Sequence, residues 1–174
     1  MYEVYNERGY SMTALPCILE SVKLKEALGI HLDAESLYKL AMAYKNHGEY
    51  ANALERYEKS LDIKRKSLGP DHPSTAATYH EIGTVYNRQG EYAKALEMYE
   101  KSLDIKLKSL GPDNPSTATT YHSIGNVYEK QGEYAKALNM YEKCLRIELK
   151  SFGPSHPHVT VTQGNIQAVN KELP

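Results

Sequence analysis

The chain has 174 residues, of which 41% are hydrophobic and 25% are charged, and its net charge is −1. This composition is typical of an ordered protein and not of a disordered one. The small net charge excludes the general attraction that draws basic proteins to nucleic acid or to acidic membranes. No apolar run approaches the ~18 residues of a membrane-spanning helix. The only cysteines, Cys17 and Cys144, lie far apart, so we expect no disulfide framework and a cytoplasmic location.

A sequence repeat is the main organising feature of the chain. Gly48, Gly90 and Gly132 recur at a step of 42 residues, and each is followed by Glu-Tyr-Ala. Self-similarity at a step of 20–50 residues indicates a repeat array. An array offers an extended surface and has no single deep active site. This architecture favours a binding function over a catalytic one.

One copy of the repeat predicts two helices. Tyr79, Ile82, Gly83 and Tyr86 have the spacing of one helical face, and Gly90 then ends the pattern. A second helical stripe follows, formed by Tyr92, Ala95, Leu96, Tyr99 and Leu103. We call the first helix of each repeat helix A and the second helix B. A Gly-Pro-Asp-X-Pro-Ser loop follows helix B, and its second proline suits the first turn of the next helix A.

In chain order, the pattern divides the protein into five segments. They are a degenerate N-terminal repeat (residues 1–33), repeat 1 (34–74), repeat 2 (75–116), repeat 3 (117–158) and a C-terminal capping helix (159–174). In the first segment, residues 4–10 resemble the end of a helix A, which leaves open whether the chain is a fragment of a longer protein. In the last segment, Ile166 and Val169 keep the step while polar residues replace the tyrosines, as a terminal cap requires.

Two glycines lie where helix A should be continuous. Gly83 and Gly125 each cost about 1 kcal/mol relative to alanine in a helix, and they recur at the repeat step. Ala95 and Ala137 occupy the facing place on helix B. The pairing of small residues predicts a close approach between helices A and B, with tyrosine and leucine packed around it.

These residues resemble the tetratricopeptide repeat. The family pattern of a large residue, Leu-Gly and Tyr on helix A, then Ala, an aromatic and Ala on helix B, is matched in repeat 2 by Tyr79, Ile82, Gly83, Tyr86, Ala95, Tyr99 and Ser102. The long step and the Gly-Pro loop are similar to the kinesin light chain subtype, but nothing resembles the coiled coil of those light chains. The resemblance implies an all-α fold: a right-handed superhelical solenoid of antiparallel helix pairs.

The resemblance also implies a peptide-binding groove on the helix A faces. The corresponding positions are Tyr38, Met42, Lys45 and Asn46 in repeat 1, His80, Thr84, Asn87 and Arg88 in repeat 2, and His122, Asn126, Glu129 and Lys130 in repeat 3. This lining is polar and mildly basic, and it suits a protein or peptide partner with an acidic residue. The alternative is that these residues are only the solvated face of helix A.

Some family members clamp a C-terminal carboxylate with lysines and asparagines on helix A. Asn126 fits that scheme, but His80 and His122 stand where lysines are needed. Because a histidine is mostly neutral at pH 7, it would hold an anion weakly until the pH falls.

Catalytic and metal sites find little support in the sequence. His156 and His158 form a close pair without a nearby cysteine or carboxylate at ligand spacing, so this stretch is interpreted as a helix-capping loop. Cys144 takes the place of Ser60 and Ser102 and is interpreted as a packed small residue. We therefore expect no enzyme activity, no cofactor, no metal, and no nucleic-acid or membrane partner.

The function predicted from the sequence is a non-catalytic scaffold that binds a segment of another protein in its concave groove. Two alternatives stay open at this point. The array could be a structural spacer or self-association module, or it could be the regulatory arm of a larger multidomain protein. The oligomeric state is not determined by the sequence.

Overall fold

The computed structural model describes residues 14–173, and the secondary structure in this range is entirely helical. The helices are α1 (Ala14–Ala27), α2 (Ala34–Asn46), α3 (Tyr50–Ser67), α4 (Pro73–Gln89), α5 (Tyr92–Ser109), α6 (Pro115–Lys130), α7 (Tyr134–Phe152) and α8 (Pro157–Glu172). They form two compact units divided between Gly69 and Pro70. In the first unit, α2 packs on α1 and α3; in the second, α4–α8 pack in sequence. The predicted fold class, an all-α array of antiparallel helix pairs, is confirmed.

The Gly-Pro loops end at a capping residue followed by a proline. Pro73, Pro115 and Pro157 are first-turn residues of α4, α6 and α8, where the missing N–H removes no hydrogen bond. The residue before the proline caps the helix: Asn114 Oδ1 accepts from the Ser116 amide at 2.9 Å, and His156 Nδ1 accepts from the His158 amide at 3.3 Å. The interpretation of the histidine pair as part of a helix-capping loop is confirmed.

The turn between helices A and B has the same geometry in each repeat. Gly90 adopts a left-handed conformation with φ of 79°, which glycine reaches without a steric penalty. The next amide, that of Glu91, then donates to the carbonyl of Tyr86 at 2.9 Å. This hydrogen bond satisfies a carbonyl at the end of helix A. The left-handed glycine reverses the direction of the chain, so that helix B packs against helix A.

The predicted close approach is made by a tyrosine ring. A Cβ added to Gly83 would lie 2.9 Å from the ring of Tyr99 and 3.2 Å from the carbonyl oxygen of Ala95, and at Gly125 it would lie 2.7 Å from the ring of Tyr141. Both rings are almost fully buried. The glycines therefore do more than let two backbones approach, because they make room for a buried aromatic ring between helices A and B.

Each of these tyrosines also packs against the next helix A. Tyr99 lies in one apolar cluster with Ile124 and Val127 of α6. Tyr141 lies in the equivalent cluster with Val169 and Ile166 of α8. The predicted register of the last helix, in which Ile166 and Val169 continue the repeat step, agrees with this packing. In the second unit, α5 and α7 are thus each held between two helices A, which is how a repeat without its own core becomes stable.

One charged position of helix B is buried in all three repeats. Lys64 and Lys106, at the same repeat position, are each 4% exposed, and the third member of the set, Glu148, is 6% exposed. The ammonium of Lys106 donates to the carbonyl of Ser116 at 3.0 Å and to the hydroxyl of Thr120 at 2.9 Å. Burial lowers the pKa of Lys106 from its ordinary value of 10.5 to about 8, with an opposing contribution from Glu81.

The predictions for residues 1–13, including the helix A remnant at residues 4–10, lie outside the described residues. Of the proposed N-terminal segment, the structure describes α1, which includes Pro16. Among the described helices, none is both long enough and apolar enough to span a bilayer.

Replacement of Gly125 by alanine is expected to destabilise the protein by about 1–3 kcal/mol, because the new methyl group collides with the buried Tyr141 ring. Gly164 provides the matched control, since it also lies within a helix but has nothing within 4 Å of its added Cβ. Gly164→Ala should therefore stabilise the protein by up to ~1 kcal/mol through helix propensity. Urea denaturation of the two variants tests this, and equal changes in the free energy of unfolding would contradict the packing.

The buried Lys106 should make stability depend on pH. Its pKa is lower in the folded chain, so between about pH 8 and its ordinary pKa the unfolded chain holds a proton that the folded chain has lost, and stability rises with pH. Between about pH 7.5 and about pH 9.5 the Lys106→Met variant should gain about 1–2 kcal/mol less free energy of unfolding than the parent chain. If urea denaturation shows the same change in the free energy of unfolding with pH for both chains, burial does not lower the pKa of Lys106.

Candidate functional site

The second unit has an open groove on its helix A side. The groove has a volume of about 520 Å³ and is lined by Asn87, Asn126, Glu129, Lys130, Tyr134, Ala168, Val169 and Glu172. It brings together four of the residues predicted from the repeat register, one from α4 and three from α6. The lining is mostly polar, with amide and charged side chains at its surface and the buried Val169 at its base.

Lys130 links two neighbouring helices A across the groove. Its ammonium donates to Asn87 Oδ1 at 2.9 Å. Lys130 lies in the last turn of α6 and Asn87 in the last turn of α4, so the contact joins equivalent ends of two repeats. The lysine is exposed, and a partner group with negative charge can approach it from solvent.

The hydroxyl of a buried tyrosine contacts two residues that line the groove. Tyr141 donates to Asn126 Oδ1 at 2.6 Å, and Glu129 Oε2 lies 2.5 Å from the same hydroxyl. Burial raises the pKa of the Tyr141 hydroxyl well above its ordinary value, and the Glu129 carboxylate raises it further. The hydroxyl therefore stays protonated and has its one hydrogen atom to donate to either acceptor, so the groove residues of α6 lie against the same side chain that packs against Gly125.

Repeat 2 has a related arrangement with a different groove residue. Tyr99 donates its hydroxyl to Thr84 Oγ1 at 3.2 Å, and Thr84 donates to the carbonyl of His80 at 3.1 Å. The His80 ring lies 5.1 Å from the Tyr99 ring, between centroids. Thr84 and His80 are thus part of the packing around the core tyrosine as well as part of the predicted groove face.

His122 is fixed between two helices and is only partly accessible. Its Nδ1 lies 3.3 Å from Asn126 Nδ2, and its Nε2 lies 3.0 Å from Asn165 Nδ2 of α8. Burial lowers the pKa of His122 below its ordinary value, although Glu148 and Glu129 oppose this. The imidazole therefore gains charge only at a lower pH than an exposed histidine does, and near neutral pH it acts as a polar, uncharged group.

The four predicted residues of the first unit have mixed environments. Tyr38 packs edge-on against Tyr57, at 5.5 Å between centroids, and the ammonium of Lys64 lies 4.2 Å from its ring centre. Lys45 is buried. Asn46 has a buried Oδ1 that accepts no hydrogen bond from the described residues. Met42 is exposed.

Sequence reasoning missed the contribution of α8 to the groove. Ala168, Val169 and Glu172 line it, and Asn165 contacts His122. The signal was present, because Ala168 and Glu172 lie one repeat step after Asn126 and Lys130. The predicted groove includes residues of repeats 1–3 only, and the last helix is predicted only as a cap.

Cys144 is not placed for nucleophilic chemistry. It is fully buried, and its sulfur lies 3.8 Å from the hydroxyl of Thr162. Burial, followed by the nearby Glu148 carboxylate, raises the pKa of the thiol to about 12. Since only the thiolate is strongly nucleophilic, the interpretation of Cys144 as a packed small residue is confirmed.

Comparison with known proteins gives a family match and several solved structures. Residues 32–108 and 80–150 match the tetratricopeptide repeat family, whose fold is generally a non-catalytic scaffold. No curated protein sequence matches the chain. The structure of BtubC (BKLC) from P. vanneervenii has a TM-score of 0.74 at 22% identity, covering 80% of this chain, and this chain spans 56% of that one.

Two further structures extend the comparison. The kinesin light chain-like repeats of Podosopora anserina have a TM-score of 0.72 at 25% identity, covering 91% of this chain and 76% of that chain. The first repeat domain of Spaghetti (RPAP3), bound to the HSP90 peptide SRMEEVD, has a TM-score of 0.60 at 18% identity, covering 80% and 91%. With its matched segments spanning residues 32–150, the chain belongs to the tetratricopeptide repeat family, and its 42-residue repeats are of the kinesin light chain-like type.

Proposed function

We propose that the chain is a protein-interaction scaffold that binds an extended segment of a partner protein along the helix A faces of α4, α6 and α8. The groove of about 520 Å³ in the second unit carries this proposal. Side chains from three successive helices A line it, including Asn87, Asn126 and Glu172. Amide side chains suit the carbonyl and N–H groups of an extended backbone, for which they offer both donors and acceptors.

The charges of the groove favour a partner segment with an acidic residue near Lys130. This ammonium lies at the surface beside the Asn87 amide, and a carboxylate placed there would accept charge-assisted hydrogen bonds. The peptide bound by the Spaghetti domain, SRMEEVD, is itself rich in acidic residues. Glu129 and Glu172 line the same groove, so a uniformly acidic segment would be repelled and a segment of mixed charge is the better fit.

The remaining sequence-based assignments form part of the same proposal. Tyr38, Met42, Lys45 and Asn46 are proposed as a binding face of the first unit by itself. The proposed segments are residues 1–33, 34–74, 75–116, 117–158 and 159–174. We also propose that the chain is cytoplasmic and non-catalytic, and that it binds neither nucleic acid nor membranes.

Selection from a random peptide library tests the groove directly. Phage-displayed dodecapeptides would be selected on the immobilised chain, and the enriched peptides would be measured by fluorescence anisotropy. Lys130→Glu is expected to weaken the enriched peptides by about tenfold or more, as loss of one well-placed contact does. Lys101→Glu is the matched control, because Lys101 is an exposed lysine on helix B that pairs with Glu97 at 2.6 Å.

The control should bind the peptides within about twofold of the parent chain, since a charge on helix B lies outside the groove. Failure to enrich any peptide above the bare support would overturn the proposal. Equal weakening by the two variants would show that binding depends on overall charge and not on the groove.

A further inference from the structure

A second concavity lies beside the groove, and one oxygen of a buried carboxylate in its lining has no hydrogen-bond donor among the described residues. It has a volume of about 210 Å³ and is lined by Thr119, His122, Glu148, His158, Val161 and Thr162. Glu148 is 6% exposed, and its Oε2 accepts no hydrogen bond within the described part of the chain. The carboxylate has a hydrogen bond with the Cys144 thiol, but a buried carboxylate oxygen that lacks a donor is unfavourable, so Oε2 is able to accept a further hydrogen bond.

The repeat register shows what kind of donor fits. In repeats 1 and 2 the place of Glu148 is taken by Lys64 and Lys106. The ammonium of Lys106 lies between Ser116 and Thr120, and in repeat 3 the equivalent residues are His158 and Thr162, both of which line the concavity. Where repeat 2 holds an ammonium supplied by the chain itself, repeat 3 has a carboxylate next to open space.

We propose that this concavity is a subsite for the ammonium group of a lysine in the bound partner segment, with Glu148 as its counter-ion. The proposal rests on the proposed function, because it assigns a specific residue preference to one end of the same binding face. His122 lines the concavity one helical turn before the groove residue Asn126 on α6, so a segment lying in the groove reaches both sites.

The lining favours an ammonium over other cations. One oxygen of Glu148 lacks a donor among the described residues, and a single free acceptor matches the single-point contact of a lysine better than the planar two-point fork of an arginine. Val161 and the methyl group of Thr119 line the same space and offer apolar contact to the methylene stem of a lysine. The lining includes no lysine or arginine that would compete for the carboxylate.

A metal ion fits the site less well. Both ring nitrogens of His122 lie within hydrogen-bond distance of an asparagine amide. Among the described residues, no three histidine, cysteine, aspartate or glutamate side chains converge as metal ligands. The carboxylate is therefore left for a donor that brings its own hydrogen atoms.

Titration with a single amino acid derivative tests the subsite without any peptide. The ¹⁵N-labelled full chain would be titrated with Nα-acetyl-lysine methylamide and followed by NMR. Saturable shifts are expected at the amides of Thr119, His122 and Thr162, and none with Nα-acetyl-norleucine methylamide, which has the same stem but no ammonium. Equal shifts with both compounds would overturn the proposal.

Three variants relate the response to Glu148. Glu148→Gln should abolish the saturable shifts, and Glu142→Gln, which removes an exposed glutamate of the same helix outside both concavities, should retain them. Glu148→Lys restores the residue type of the other repeats and should also abolish binding while leaving the circular dichroism spectrum unchanged. Retained shifts in Glu148→Gln would overturn the proposal.

The library peptides separate this proposal from the function on which it rests. Peptides selected on the parent chain should contain a lysine whose replacement by norleucine weakens binding about tenfold to the parent and less than about twofold to Glu148→Gln. Enriched peptides without such a lysine would overturn the subsite and leave the groove intact. A positive lysine titration without any enriched peptide would support the subsite and overturn the groove.

Discussion

The contact between a buried tyrosine ring and a helical glycine is the constraint on which the second unit depends. Tyr99 lies over Gly83 and Tyr141 over Gly125, so closely that a methyl group in place of the glycine hydrogen would overlap the ring. Each ring also packs on the next helix A. One side chain therefore joins three helices, and its hydroxyl also orients the groove residue above it. The same buried tyrosine therefore stabilises both the fold and the binding face.

Much of this arrangement could be predicted from the amino-acid sequence because its signals are local and repeated. The step between Gly48, Gly90 and Gly132 predicted the turn, and the spacing of Tyr79, Ile82 and Tyr86 predicted the buried face of helix A. Proline at the start of α4 and α6 marked the helix boundaries. Each of these patterns involves residues a few positions apart in the sequence, so its structure could be predicted without knowledge of long-range contacts.

Other features depend on contacts across repeats and were not predicted. The tyrosine ring was expected to surround the small-residue contact, whereas it forms that contact itself. The role of Asn165 follows from its hydrogen bond to a histidine 43 positions earlier. Glu148 has no local signal either, because a glutamate near the end of a helix is most often solvent-exposed. Its burial becomes clear only when α8 covers it, and the unusual charge appears only by comparison with Lys64 and Lys106.

The loops between repeats differ in chemistry despite their similar sequences. Asn114 caps α6 with an amide oxygen, whereas His72 and His156 cap α4 and α8 through a ring nitrogen that must carry no proton in order to accept. Because Nδ1 accepts the amide hydrogen, the N–H of each neutral ring lies on Nε2. The turns that begin α4 and α8 therefore also fix the tautomer of their histidines, a choice that the amide of Asn114 does not have.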